Sequence, residues 1–446
     1  MRQKSGIAYI ADLFRGSNRT TTINLIIRGL TLAGKFFFVI LLARQLTEKQ
    51  MGEWGIFSTS ISLSLYLIGL DFYTYSSRTL LEYPMADRGH FLRDQMVFYL
   101  ISYAILFPLL SVLFFVDAIE WKLIFFFYII LVFEHLAQES YRTFVLFGKP
   151  ITANVVLFLR TGLWTMAIII LWIMGNDELR TLKSVLMFWM GGGAAALIVT
   201  IVMLSRFHFN SVKGIPIDWK WLRKGIQVSL IYFIATICFK AIEFADRYFI
   251  DYYHTREDVG VYTLYANLSN MIEIFVHTTT IIIFSPKLIY AFHRNNYMYR
   301  KTHAKFSKNL FLFNLAGAAI LAIMIYPILK YIVQKEAYLE NISAFILLCV
   351  AEMVFNISLI FHYILYVRKN DFSIVKATII AACTNIALNF ILIPAYDLNG
   401  AALATIAGYA VLVLMKAYYA RHTSEGRQII FLQFLRKKKP KAENGA

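Results

Sequence analysis

Apolar stretches a little over twenty residues long recur along this chain of 446 residues and limit what it can fold into. About 20 apolar residues suffice to cross a bilayer as one helix. We predict twelve such spans, at residues 21–43, 54–77, 94–116, 121–141, 151–174, 184–205, 225–250, 259–284, 309–332, 341–366, 372–394 and 399–420. Because lipid requires every backbone polar group to be satisfied internally, the pattern predicts an all-α polytopic membrane protein with about 12 transmembrane helices.

The basic residues predict how these helices are oriented. We place the amino terminus in the cytoplasm and count the basic residues on each side of the membrane. Thirty of the 44 Lys and Arg then belong to cytoplasmic segments or their membrane edges, and eight belong to the segments on the opposite side. This asymmetry follows the positive-inside rule, so we expect both termini in the cytoplasm. It also accounts for the net charge of +17 without nucleic acid as a partner. The three cysteines lack metal-ligand spacing, and we expect neither a metal nor a cofactor.

A weak internal repeat divides the chain into halves. Gly55 opens the second span and Gly260 the eighth, and the same offset of 205 residues aligns Lys35 with Lys240. We therefore expect two six-helix lobes related by a parallel pseudo-two-fold repeat. The predicted parts are an N-terminal lobe (1–205), a basic cytoplasmic linker (206–224), a C-terminal lobe (225–420) and a basic cytoplasmic tail (421–446) that touches anionic lipid.

Ionisable residues inside the spans are the main functional signal, because a charge at mid-bilayer costs roughly 2.5–3.5 kcal/mol on insertion scales. In the seventh span, residues at spacings of three and four form a polar stripe on one helical face. Similar stripes occur in the first, fourth and eighth spans, and single polar residues lie elsewhere. These residues are Asn24, Arg28, Lys35, Asp71, Glu134, Arg160, Lys240, Glu243, Asp246, Arg247, Glu273 and His277. They predict a hydrated central cavity; the alternative is that Glu243 only forms ion pairs with Lys240 and Arg247 that hold helices together.

Four short motifs resemble a known family. They are Leu42-Ala43-Arg44-Gln45-Leu46 followed by Gly52-Glu53-Trp54-Gly55-Ile56-Phe57; Ile68-Gly69-Leu70-Asp71; Asp246-Arg247-Tyr248 followed by Val259-Gly260-Val261-Tyr262 and Ser285-Pro286-Lys287; and Leu398-Asn399-Gly400-Ala401-Ala402-Leu403-Ala404-Thr405. In order and spacing the chain is similar to the bacterial polysaccharide-biosynthesis flippases of the Wzx type, within the multidrug/oligosaccharidyl-lipid/polysaccharide exporter (MOP) superfamily. The resemblance covers nearly the whole chain.

The resemblance implies a multi-pass protein of the bacterial inner membrane that is not an enzyme. It implies that the protein moves an oligosaccharide repeat unit on undecaprenyl pyrophosphate, such as an O-antigen unit, to the periplasmic leaflet. It also implies membrane lipids, a polysaccharide polymerase and a chain-length regulator as partners. On this interpretation Asn24, Arg28, Lys35, Arg160, Lys240 and Arg247 bind the anionic substrate. The carboxylates Asp71, Glu134, Glu243, Asp246 and Glu273, with His277, pair with these bases or couple an ion.

Other functions of the same fold remain open at this point. A lipid II flippase or a multidrug/cation antiporter would share the architecture, and a membrane-embedded glycan polymerase or ligase is a more distant alternative. Nothing in the sequence resembles a nucleotide-binding motif, so we expect coupling to an ion gradient through a carboxylate. Glu273 is the first choice, because no Lys or Arg lies within four residues of it; the alternative is that Glu273 pairs with a lysine across the cavity.

Overall fold

The computed structural model describes residues 19–422, and within this range the chain forms helices and their connections, without a strand. The predictions for the first eighteen residues and for most of the basic tail lie outside the described residues. The chain divides into two compact units, and the division falls after Phe233, in the middle of a helix. The predicted lobe limits remain a prediction.

The N-terminal unit consists of helices with short connections. They are α1 (Arg19–Gln45), α2 (Glu48–Gly69), α3 (Tyr73–Glu82), α4 (Arg88–Leu110), α5 (Ile124–Leu146), α6 (Pro150–Phe158), α7 (Trp164–Ile173) and α8 (Leu182–Leu204). A π-helical turn, Leu159–Leu163, joins α6 to α7. Leu70 and Asp71 have φ of 45° and 52°, and this left-handed backbone ends α2 and bends α3 by 49° from it.

The C-terminal unit begins within α9 (Trp219–Tyr253). Its other helices of six residues or more are α10 (Arg256–Ser269), α11 (Met271–Val276), α12 (Ile282–Arg294), α13 (Asn296–Pro327), α14 (Ile342–Tyr366) and α15 (Asp371–Arg421). A π-helical turn, His277–Ile281, joins α11 to α12, and a second, Ile328–Val333, extends α13.

Ten helical segments among the described residues are long and apolar enough to cross a membrane, or eleven if the bent pair α2 and α3 counts as one span. The 51 residues of α15 would extend roughly 75 Å, far beyond a hydrocarbon core of about 30 Å. Non-helical dihedral angles at Tyr396 and Asp397 divide α15 into two segments of span length. The twelve predicted spans fall on these helical segments, and the span 54–77 crosses the break between α2 and α3. The prediction of an all-α polytopic membrane protein is confirmed.

The predicted linker packs on the N-terminal unit. Arg93 of α4 donates hydrogen bonds to the backbone oxygens of Val212 (3.2 Å) and Ile215 (2.7 Å). Its neighbour Asp94 accepts from the backbone N–H of Asp218 at 3.0 Å. Trp221, at the start of α9, is 8% exposed. These contacts fasten the linker and the first turns of α9 to α4.

The glycine-rich run of α8 is a packing surface. A Cβ added at Gly192 would lie 2.6 Å from the Trp164 side chain and 2.8 Å from the backbone oxygen of Leu159. One added at Gly193 would lie 2.9 Å from Phe133. Small residues permit such close approach of helices in membranes, so this run has a structural role.

The helix boundaries give the internal repeat a different offset. Helix α1 ends at Gln45 and α9 at Tyr253. Thr47 and Thr255 then cap α2 and α10, each through a capping box. All these boundaries differ by 208 residues, which aligns Lys35 with Glu243 instead of Lys240. The predicted equivalence of the two lysines thus lacks support from the helix register.

Candidate functional site

In the N-terminal unit, neutral partners hold an exposed guanidinium. Arg28 of α1 donates from Nε to Asn154 Oδ1 of α6 at 3.0 Å and from Nη2 to Tyr141 Oη of α5 at 2.8 Å. Asn154 donates in turn to Asn24 Oδ1 at 2.8 Å, and Asn154 is 3% exposed. Residues 19–422 supply no carboxylate that pairs with Arg28. Its charge is therefore oriented but not neutralised.

A second arginine of this unit is neutralised. The π-helical turn after α6 carries Arg160, whose Nε lies 3.1 Å from Glu134 Oε2 in an ion pair. Arg160 also donates to the Glu134 backbone oxygen at 3.2 Å, and Trp189 Nε1 donates to Glu134 Oε1 at 2.7 Å. Both carboxylate oxygens of Glu134 therefore have a partner on another helix. We therefore interpret this pair as an element that joins helices.

Lys35 lies near this pair. It is exposed, it lies within electrostatic range of both Arg160 and Glu134, and it forms no ion pair with an acid in the described part of the chain. Since Arg160 already compensates Glu134, Lys35 contributes a net positive charge. Together with Arg28 it makes one face of α1 cationic.

Two other polar positions of this unit have local structural roles. Glu139 accepts from Tyr99 Oη at 2.6 Å, from Gln95 Nε2 at 3.1 Å and from Arg142 Nη1 at 2.5 Å. Asp71 is 9% exposed at the break between α2 and α3, where its backbone oxygen accepts from the Thr74 N–H at 2.9 Å. Asp71 therefore belongs to the bend between α2 and α3.

In the C-terminal unit, Lys240 pairs within its own helix. Its Nζ lies 2.5 Å from Glu243 Oε2 and 5.3 Å from the ring centroids of both Phe239 and Phe244. Arg247 donates to the backbone oxygen of Glu243 at 3.1 Å, and its buried Nε has no hydrogen-bond partner. Of the two ion pairs considered in the sequence, the structure forms the one with Lys240, while Arg247 contacts the carbonyl group instead of the carboxylate.

Three glutamates from different helices form an acidic cluster in this unit. Glu273 of α11 accepts from Asn270 Nδ2 at 3.0 Å. Glu243 of α9 and Glu352 of α14 lie within electrostatic range of Glu273 and of Lys240. Glu352 is 8% exposed, and its buried Oε2 has no hydrogen-bond partner. One lysine does not balance three carboxylates, so a proton or a cation would compensate the excess negative charge.

The predicted stripe that contains Glu273 is interrupted by the π-helical turn. His277 begins this turn and is exposed, whereas Thr280 is buried. The additional residue in a π-helical turn shifts the register of the side chains that follow. Glu273 and His277 precede this shift, because the His277 backbone N–H donates to the Glu273 backbone oxygen in the α-helical pattern. The turn therefore changes the direction of Thr280 and the residues after it, while Glu273 accepts from Asn270.

Asp246 is the centre of a buried hydrogen-bond network. Tyr262 Oη donates to its Oδ2, Thr405 Oγ1 donates to the same oxygen at 2.6 Å, and Asn389 Nδ2 donates to Oδ1 at 2.8 Å. Asp246 is 2% exposed. It thereby connects α9, α10 and both halves of α15, and we interpret it first as a stabilising residue.

The same network supplies oxygen atoms suited to a hard cation. Asn389 Oδ1 is buried without a partner, and the amide of Asn385 lies 3.4 Å from Asn389 Nδ2. No group of three or more His, Cys, Asp or Glu with metal-binding geometry occurs among residues 19–422. A site here would therefore depend on hydroxyl and amide oxygens in addition to the single carboxylate.

Sequence analysis missed the neutral members of these clusters. Tyr141 and Asn154 orient Arg28, and Asn389 and Thr405 orient Asp246. One signal was present: Asn385 and Asn389 lie four residues apart in an apolar span, and such amides usually form hydrogen bonds between helices.

The sequence matches no family model and no curated protein. Its fold is nevertheless similar to solved structures of transporters. An inward-facing multidrug resistance MATE family transporter of the MOP superfamily has a TM-score of 0.69 at 12% identity, over 92% of this chain and 99% of that chain. The lipid II flippase MurJ, in an inward closed conformation, has a TM-score of 0.62 at 14% identity, over 94% and 93%.

A MOP superfamily transporter from Pyrococcus furiosus has a TM-score of 0.53 at 12% identity, over 92% of this chain and 93% of that chain. That transporter is described as having a binding pocket of reverse polarity, which suggests a different function. Similarity at these identities establishes the architecture. The chain is a multi-pass membrane protein with the fold of the MOP superfamily.

Proposed function

We propose that this protein is a flippase that moves undecaprenyl-pyrophosphate-linked oligosaccharide repeat units from the cytoplasmic to the periplasmic leaflet of the bacterial inner membrane by alternating access. The observation that carries the proposal is Arg28, an oriented guanidinium whose charge no described carboxylate neutralises. A pyrophosphate cannot cross hydrocarbon without such a group, because an unpaired charge at mid-bilayer is costly.

The geometry of Arg28 suits a phosphate oxygen. Asn154 and Tyr141 occupy one edge of the guanidinium and restrict its rotation, which lowers the entropy lost when a ligand binds. The planar fork can then donate two parallel hydrogen bonds to a phosphate. Lys35 adds a second positive charge on the same helix.

The neighbouring side chains suit a glycan. Asn24 and Tyr141 offer amide and hydroxyl groups beside Arg28, and sugar hydroxyls can exchange hydrogen bonds with both kinds of group. A cation antiporter would instead need a site dominated by acids. In the N-terminal unit Glu134 and Glu139 are already paired with arginines.

The acidic cluster of Glu243, Glu273 and Glu352 supports ion coupling as part of the proposal. Carboxylates that share one lysine can exchange a proton or sodium ion as their surroundings change. Glu273→Gln removes one charge and keeps the shape of the side chain. We expect this variant, reconstituted in vesicles, to bind substrate but to lose substrate movement driven by a pH or sodium gradient. Unchanged gradient-driven movement would remove Glu273 from coupling.

Deletion of the gene tests the proposed substrate. We expect the deletion strain to lose surface polysaccharide and to accumulate repeat units on undecaprenyl pyrophosphate, and we expect the wild-type gene to restore both. Cell lysis with accumulated lipid II would instead indicate a lipid II flippase. Increased sensitivity to cationic drugs with normal polysaccharide would indicate an antiporter. The proposal also predicts that a polysaccharide polymerase and its chain-length regulator act on the transported unit.

A further inference from the structure

A basic pocket lies in the helical hairpin that α12 and α13 form around Asn295. Its volume is about 510 Å³. Phe284, Pro286, Tyr290 and Met298 provide apolar walls, and Lys287 and Lys305 contribute the charges. The pocket therefore combines an apolar interior with two cations, one from each helix.

The positive charge of this hairpin is not compensated locally. Residues 274–335 contain eight Lys and Arg and not one Asp or Glu. Neither Lys287 nor Lys305 forms an ion pair within residues 19–422, and both are exposed. Lys287 Nζ lies 5.5 Å from the Phe284 ring centroid, and Arg294 Nε donates to Tyr290 Oη at 2.9 Å. Aromatic side chains thus hold cations at this end of the hairpin.

The surface on both sides of the hairpin becomes apolar a turn or two farther along the helices. Ile282 and Ile283 of α12 are 46% and 38% exposed, and Phe311 and Leu312 of α13 are 57% and 56% exposed. Exposed apolar side chains of this kind are suited to contact with lipid tails. The change from cationic to apolar surface is the pattern expected of a site at the depth of lipid headgroups.

We propose that this pocket binds the headgroup of an anionic glycerophospholipid, such as phosphatidylglycerol. The phosphate lies between Lys287 and Lys305, and the acyl chains lie along the exposed apolar side chains of α12 and α13. Basic pockets between membrane helices are suited to such headgroups, whereas a zwitterionic lipid would bring its own ammonium group close to the lysines. The site uses none of the residues of the Arg28 site and does not depend on the transported substrate.

Native mass spectrometry of the purified full-length protein tests this binding, with phosphatidylglycerol and phosphatidylethanolamine as probes. The test variant is Lys287→Gln/Lys305→Gln. The matched control is Lys301→Gln/Lys308→Gln, which removes two exposed lysines of α13 that do not line the pocket. Each lysine near an anionic lipid contributes a factor of about five. We therefore expect the affinity for phosphatidylglycerol to fall about 25-fold in the test variant and by less than about threefold in the control.

A second variant tests the cavity without changing charge. Met298→Trp narrows the pocket while both lysines remain, and we expect it to lose phosphatidylglycerol as well. Equal losses in the pocket and control double variants would overturn the proposal, because they would indicate a diffuse basic surface. Equal binding of the two lipids by the wild type would also overturn it. Displacement of phosphatidylglycerol by equimolar inorganic phosphate or farnesyl pyrophosphate would assign the pocket to a free phosphate or a polyprenyl pyrophosphate instead.

Discussion

The Arg28→Gln variant tests the proposed anion site most directly. Glutamine keeps hydrogen-bonding capacity but removes the charge that Asn154 and Tyr141 orient. A hydrogen bond to a charged group is worth about 1.5–3 kcal/mol, so losing one contact to a pyrophosphate should weaken binding about 10- to 150-fold. We propose to measure this by calorimetric titration of the purified protein with farnesyl pyrophosphate, which carries the same pyrophosphate on a shorter prenyl chain.

Three related variants separate charge from orientation. Arg28→Lys keeps the charge but cannot reproduce the planar fork, so we expect partial binding. Asn154→Ala keeps the guanidinium but removes the 3.0 Å bond that orients it, and we expect a loss of about fivefold, as for one ordinary hydrogen bond. Arg44→Gln is the matched control, because Arg44 is an exposed arginine on the same helix. If Arg28→Gln binds farnesyl pyrophosphate as Arg44→Gln does, Arg28 does not contact the anion.

Three further predictions concern the rest of the protein. Lys240 pairs with Glu243 at 2.5 Å, so Lys240→Met should lower the thermal stability because it leaves the carboxylate of Glu243 without its partner. Adding Glu243→Gln should restore part of the stability. Additive losses in a double-mutant cycle would show that the two side chains do not interact energetically. Tyr262→Phe removes one donor to the buried Asp246 and should reduce the free energy of unfolding by about 1.5–3 kcal/mol, measured by thermal unfolding in detergent, where an unchanged midpoint would contradict the network. A phosphatase reporter that is active only in the periplasm should be inactive when fused after Arg223, because the charge asymmetry places this residue in the cytoplasm. Phosphatase activity of this fusion would show that the predicted orientation is reversed.

Local sequence patterns were sufficient to predict where the helices lie, because the apolar composition of each span identifies it without reference to the rest of the chain. The bends were less predictable. The break at Tyr396 and Asp397 separates the two predicted spans of α15, but the π-helical turn at His277–Ile281 has no marker in the sequence. This turn interrupts the predicted stripe after His277 and leaves the regular spacing of Glu273 and His277 intact.

The internal repeat shows a limit of motif alignment. The glycines Gly55 and Gly260 aligned Lys35 with Lys240 at an offset of 205. The capped helix starts at Thr47 and Thr255 differ by 208 instead. A shift of three residues moves a side chain by most of a helical turn, so a small error in alignment changes which residues correspond.

The sequence by itself determined the class of this protein and its ionisable positions. Long apolar spans must form helices in lipid, and a charge within them stands out without knowledge of its neighbours. Only the tertiary structure decided what each charge does. Arg28 and Arg160 look alike in the sequence, but Asn154 and Tyr141 leave the first charged, while Glu134 neutralises the second. These partners lie on other helices, and no periodicity within one helix specifies which helix packs beside it.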